Sequence, residues 1–97
     1  MQEEYPYFTG FDWDESNINK NRKHDVEHTE SEQIFFNEPI IILDDPKHSV
    51  AEARYAAFGV TDNGRKLVVV YTIRSKKVRV ISARDMSRKE RNFYEKF

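Results

Sequence analysis

The chain contains no cysteine, which removes disulfides, thiolate zinc sites and cysteine nucleophiles together. It has no apolar run approaching the ~20 residues that a membrane-crossing helix needs. Its start lacks the basic, apolar and cleavable regions of a secretory signal. The expectation is a soluble, cytoplasmic protein with no membrane partner. Glycine is scarce, at three residues, and none of them forms a phosphate-cradling loop. There is no serine elbow and no paired-carboxylate motif of the glycosidase kind. Most hydrolase and nucleotide-binding classes therefore receive no support. His24, His28 and His48 show no ligand spacing, so neither a metal nor another cofactor is expected.

What is present is charge, and it is segregated. Residues 1–48 hold 4 Lys and Arg against 12 Asp and Glu, a balance of −8, whereas residues 49–97 hold 12 against 5, or +7. The overall net charge of −1 hides this dipole. Charge divided in this way suggests that one region meets a polyanion while the other repels or mimics it. A length of 97 residues allows one domain, residues 1–97, with one modest core. No repeat, linker or low-complexity tract divides it.

Hydrophobic patterning predicts an α+β domain: two N-terminal helices, an antiparallel sheet and a C-terminal helix. Residues 1–6 are polar and expected to be loose. Tyr7, Phe8, Phe11 and Trp13 read as a short strand or entry segment. Asp14 is a suitable N-cap for a helix reaching about His24. Thr29 to Glu32 has the form of a capping box leading into Ile34, Phe35 and Phe36, with Pro39 ending that helix. Four consecutive apolar residues, Ile40 to Leu43, suit a buried strand. Arg54 to Val60 is a further strand, and Asp62-Asn63-Gly64 is a hairpin turn. Strands at Lys66–Arg74 and Val78–Arg84 follow, joined by Ser75, Lys76 and Lys77. Ser87 to Glu90 is a second capping box, opening a helix that carries Phe93, Tyr94 and Phe97.

A turn over Ser75–Lys77 would set Arg74 opposite Val78 and Val68 opposite Arg84. Val68, Val70, Thr72, Arg74, Val78, Val80, Ser82 and Arg84 then share one face, and Leu67, Val69, Tyr71, Ile73, Arg79, Ile81 and Ala83 share the other. In this register Arg74 and Arg84 lie ~20 Å apart at opposite ends of the hairpin, too far to grip one phosphate. Arg79 is on the opposite face from Arg84. Arg84 ends its strand beside the helix start at Ser87, where free N–H groups favour anions, and Arg65 and Lys66 lie at the same end. Arg84 is thus the preferred phosphate ligand.

Each candidate has a plainer reading. Lys23 and His24 at a helix C-terminus can be a structural cap, or His24 can be a general acid or base. The arginines can be a solvated surface, although their segregation along the chain weighs against that for the whole set. Tyr94 is more often a core aromatic than a catalytic hydroxyl.

Taken in order, these residues resemble the BrnT family of type II toxin–antitoxin ribonuclease toxins. The resemblance runs through Phe11-x-Trp13-Asp14, then Asn21, Lys23-His24 and Val26, Asp45-Pro46, His48-Ser49, Glu52-x-Arg54-Tyr55 and Gly59. Its most specific part is Gly64-Arg65-x-Leu67-Val68-Val69-Val70-Tyr71-Thr72-x-Arg74, followed by Arg79 to Arg84 and Glu90-Arg91-x-x-Tyr94. Two positions depart from the family pattern. Asn17 stands where Lys is usual, and Asp25 stands where Gly commonly follows the Lys-His pair.

The resemblance implies a RelE-like fold and metal-independent RNA cleavage that inhibits translation. A base would activate a ribose 2′-hydroxyl against the adjacent phosphate, and cations would stabilise the charge that develops. On that basis Arg84 and Arg79 are assigned to the phosphate, His24 to acid–base transfer, and Tyr94 to positioning or stacking. Lys23, Arg54, Arg65 and Arg74 are assigned to the RNA backbone. A ribbon-helix-helix antitoxin is the implied partner, with operator DNA reached only through it. The departures at Asn17 and Asp25 keep open an alternative, a weak or inactive member that acts mainly as partner and co-regulator of a DNA-binding antitoxin. A plain RNA-binding domain without an antitoxin is a third reading.

Overall fold

The computed structural model describes residues 8–48 and 51–97. The expectation for residues 1–6, and the place of Tyr7 in the entry segment, fall outside the described residues. The sheet has five strands: β1 (Gly10–Phe11), β2 (Ile41–Asp44), β3 (Tyr55–Val60), β4 (Lys66–Arg74) and β5 (Lys77–Asp85). Helices α1 (Glu15–Arg22) and α2 (His28–Gln33) precede β2, and α3 (Arg88–Tyr94) closes the chain. The strand order is β1-β5-β4-β3-β2. All neighbours are antiparallel except β1, which pairs parallel to β5 through Gly10–Lys77 and Phe11–Val78. The α+β expectation holds, with the sheet mixed rather than purely antiparallel.

Three caps define the helices. The Asp14 side chain accepts from the Asn17 N–H at the start of α1, and Ser87 accepts from the Glu90 N–H at the start of α3. The start of α2 differs from expectation. Glu27 and Glu30 close its capping box, two residues before Thr29, and a 3₁₀ turn over Ile34–Phe36 ends the helical segment ahead of Pro39. Helix α1 ends in a Schellman arrangement, in which Asp25 N–H reaches Arg22 C=O and Val26 N–H reaches Asn21 C=O. That closure needs a left-handed residue, and Asp25 supplies it at φ 59°.

The main core lies on one face of the sheet. Leu67, Val69, Tyr71, Val78, Val80 and Ala83 pack there beneath Val26 and Ile34. Gly59 lets the Ile34 turn sit against β3, since a Cβ at that position would lie 2.8 Å from Ile34 Cβ. Among the described residues the opposite face is covered at one end, where Phe58, Val68, Met86 and Tyr94 cluster under α3. Strand β2 is an edge strand, with Leu43 and Asp44 exposed. The apolar run Ile40 to Leu43 does not make it a buried strand, because among the described residues it pairs with β3 alone.

The β4–β5 register corrects the expected one. Ser75 and Lys76 both have positive φ, 50° and 64°, and form a two-residue turn that sets Arg74 opposite Lys77. Beyond it Thr72 faces Arg79 and Tyr71 faces Val80. A bulge then takes up one residue, and Val70–Ser82, Val69–Ala83 and Val68–Arg84 continue in the expected register. Arg79 therefore shares a face with Ser82 and Arg84, the face that α3 leaves half uncovered.

Candidate functional site

The uncovered half of that face holds a cleft of about 190 Å³ with cations from four parts of the chain. Lys20 comes from α1, Arg54 from the segment before β3, Arg74 from the end of β4 and Arg79 from β5. Ser16, Asn17 and Ile81 complete the walls with Val80. Strand β1 covers only the first two residues of β5, so α1 covers the next stretch of that edge. Asn17 secures it there: its buried side-chain amide donates to Val80 C=O at 3.1 Å and to Asp12 C=O at 3.0 Å. A second cavity of about 180 Å³ adjoins the first through Arg54 and Ile81, and is otherwise lined by Asp45, Val70 and Ser82.

Carboxylates hold Arg79 and Arg74 in place. Arg79, whose side chain is only 16% exposed, lies 2.9 Å from Asp14 and 3.6 Å from Asp12. The Asn17 N–H and then Arg79 keep the Asp14 carboxyl below its usual range. The Arg74 guanidinium donates to Glu52 at 3.0–3.3 Å, which lowers the Glu52 carboxyl in the same way. Arginine forks matched to carboxylates in this manner also match phosphate oxygens. Clustered cations on an open face, with Arg74 and Arg79 held by displaceable carboxylates, suit a polyanionic ligand. Among the described residues no group of histidines and carboxylates is arranged to hold a metal ion.

A comparison with protein families matches residues 13–90 to the BrnT ribonuclease toxins of type II toxin–antitoxin systems. The chain belongs to that family. The match includes all four cations of the cleft, both cavities and the β5 bulge. A search of curated proteins found no match. As a BrnT-family ribonuclease toxin the protein has an antitoxin as its partner. Among the described residues no helix is long and apolar enough to cross a membrane.

The expected site residues are not all gathered in the cleft. Arg54, Arg74 and Arg79 are there. Arg84 lies toward α3, where both arms of its fork are taken by Glu90 at 2.7 and 2.9 Å. Glu90 in turn accepts from the Ser87 N–H. Tyr94 is buried and donates its hydroxyl to Pro39 C=O, and burial pushes its hydroxyl up. It is a core residue of the second cluster.

Arg65 is also occupied. It binds Asp85 at 2.7 Å, Glu30 at 3.1 Å, and the carbonyls of Asp25 and His24 at 2.7 and 3.3 Å. These bonds fasten the turn after α1 to the far end of the sheet. Lys23 and His24 are exposed in that turn, and neither lines the cleft. Sequence reasoning missed Lys20 and the carboxylates Asp12, Asp14 and Glu52. Lys20 could have been found from Asn17, since residues three apart share a helix face.

Proposed function

We propose that this chain is a cytoplasmic endoribonuclease that cleaves single-stranded RNA in the Lys20–Arg54–Arg74–Arg79 cleft without a metal ion, and so inhibits translation. One observation carries the reading: four cations from separate segments line one cleft of about 190 Å³. A backbone phosphate entering it takes over the arginine donors now held by Asp14 and Glu52. The 2′-oxygen then attacks the neighbouring phosphorus as the bond to the 5′-oxygen breaks. The 2′-hydroxyl gives up its proton, the departing 5′-oxygen receives one, and a 2′,3′-cyclic phosphate and a 5′-hydroxyl remain. The cations stabilise the additional negative charge on the phosphoryl oxygens, the largest contribution such a site makes. Arg84 and Tyr94 support α3 rather than the reacting phosphate. His24 enters the chemistry only if the RNA path extends to the end of α1.

The same reading takes the antitoxin to be a ribbon-helix-helix protein that covers this face and carries the complex to operator DNA. Acidic or groove-filling contacts fit a basic surface of this kind.

The test is cleavage of a single-stranded RNA by purified protein in EDTA, with product ends analysed. Cyclic phosphate ends from the wild type and their loss in Arg79→Ala support the reading. An inactive wild type, or an Arg79→Ala variant that cleaves equally well, refutes it. A chain that binds its antitoxin tightly but cleaves nothing is instead a partner and co-regulator.

A further inference from the structure

The two cavities on the uncovered face differ in chemistry in the same way that the parts of a nucleotide do. One is cationic. The other is lined by the apolar residues Val70 and Ile81 and by the polar residues Asp45 and Ser82, beside the shared Arg54. Ile81 and Arg54 line both. The bulge is what puts Ile81 there. An unbulged β5 could not present both Ile81 and its neighbour Ser82 to one cavity, since successive side chains alternate between faces. Asp45 is tied to the phosphate cleft through the backbone, because its N–H donates to Arg54 C=O at 2.9 Å.

We propose that the second cavity is a base subsite selective for guanine, with the base resting on Val70 and Ile81 and the Asp45 carboxylate accepting from its N1–H and N2–H groups. The proposal rests on the assignment of the adjoining cleft to an RNA phosphate. Unpaired RNA bases are read through their pairing edge and through contact with their flat faces. A carboxylate offers acceptors only. Guanine alone among the four bases presents two adjacent N–H donors on its pairing edge. Adenine and cytosine each set one amino group beside an acceptor, and uracil flanks its single N–H with two carbonyls. A carboxylate therefore gains two bonds from guanine and meets a repelling lone pair on each of the others.

The experiment is cleavage, in EDTA, of a single-stranded RNA pool randomised around the cut, with product ends sequenced. The wild type is expected to cut beside guanosine about 10-fold more often than beside other bases, the discrimination that one bidentate contact provides. Asp45→Asn is expected to abolish that preference. Inosine, which lacks the 2-amino group, is expected to be cut several-fold less than guanosine. The preference is a ratio within one sample, so a partly unfolded variant does not distort it. Cleavage by the wild type without a guanosine preference, or a preference that survives Asp45→Asn, overturns the subsite alone. A wild type that cuts no RNA overturns the cleft assignment and the subsite with it.

Discussion

Arg79 and Arg84 point to the same face of the sheet, although an odd number of positions separates them along β5. Arg79 pairs with Thr72 and Arg84 with Val68, two residues on one side of β4, and the bulge at Ile81 absorbs the difference. Sharing a face has not given them one task. Arg79 is matched to Asp14 and Asp12 at the rim of the open cleft, whereas Arg84 is matched to Glu90 at the start of α3.

The two arginines are accordingly expected to separate in mutagenesis. Arg79→Ala should lower RNA cleavage by about 100-fold, the typical loss when one preorganised donor to a developing anion is removed. Arg84→Ala should change cleavage far less and lower stability by about 1 kcal/mol, as loss of a well-formed surface pair with a helix cap does. Single-turnover cleavage and urea unfolding on the same preparations check both. Equal losses of activity would return Arg84 to the site.

Glu90 gives a pH signature of the α3 junction. Arg84 first, and then the Ser87 N–H, hold its carboxyl down to about 2 from an ordinary 4.5. A depressed folded-state value means that the stabilisation is complete above 4.5 and is lost as pH falls toward 2. Glu90→Gln should therefore be less stable than wild type at pH 7, by roughly 1 kcal/mol after allowance for solvent screening of this partly exposed pair. The gap should close between pH 4.5 and pH 2. Urea midpoints across that range check it.

Much of this arrangement can be read from the chain, and the exceptions have physical causes. Apolar runs and Asp62-Asn63-Gly64 give strands β2 to β5, and Asp14 and Ser87 give two helix starts. The bulge at Ile81 carries no glycine or proline to announce it. The preceding turn adopts positive φ at Ser75 and Lys76 without glycine, so a three-residue turn looks equally good on paper. Together these two features decide which face Arg79 occupies, and hence the site. The counter-charges are equally hidden, because Asp14 reads as a helix cap and meets Arg79 only once β1 has paired with β5.

Arg65 is a structural clamp despite its place in a basic segment. Its guanidinium joins Asp85, Glu30 and the carbonyls of His24 and Asp25. Lysine cannot reproduce that planar fork. Arg65→Lys should thus cost about 1 kcal/mol, since Glu30 and several exposed acceptors lose the fork's donors at once. It should leave the base preference of any residual cleavage unchanged. A variant of wild-type stability with weakened RNA binding would instead make Arg65 an RNA contact.

Asp25 occupies the position that closes α1, at φ 59°. Glycine bears that conformation without a Cβ penalty, while aspartate bears it with some cost. Asp25→Gly is therefore expected to stabilise the protein by roughly 0.5–1 kcal/mol, a rise of several degrees in Tm for a domain of this size. Calorimetry decides it. A fall in Tm would mean that the Asp25 side chain contributes a contact worth more than the strain.

Lys20 and Lys23 are close in sequence and differ in place. Lys20 lines the cleft beside Arg54, Arg74 and Arg79, and Lys23 lies beyond the last turn of α1 outside it. Asn17 stands on the cleft side of the same helix but spends its amide on Val80 and Asp12, so Lys20 is the α1 residue that brings charge to the cleft. Each phosphate contact on a single strand releases condensed counterions and adds about 0.7 to the slope of log affinity against log salt. Lys20→Ala should thus weaken RNA binding at low salt and reduce that slope by about 0.7, while Lys23→Ala should leave the slope as it is. Binding titrations of a short single-stranded RNA at several salt concentrations measure both. Matching slopes for the two variants would place the RNA path along the end of α1 instead, and with it His24.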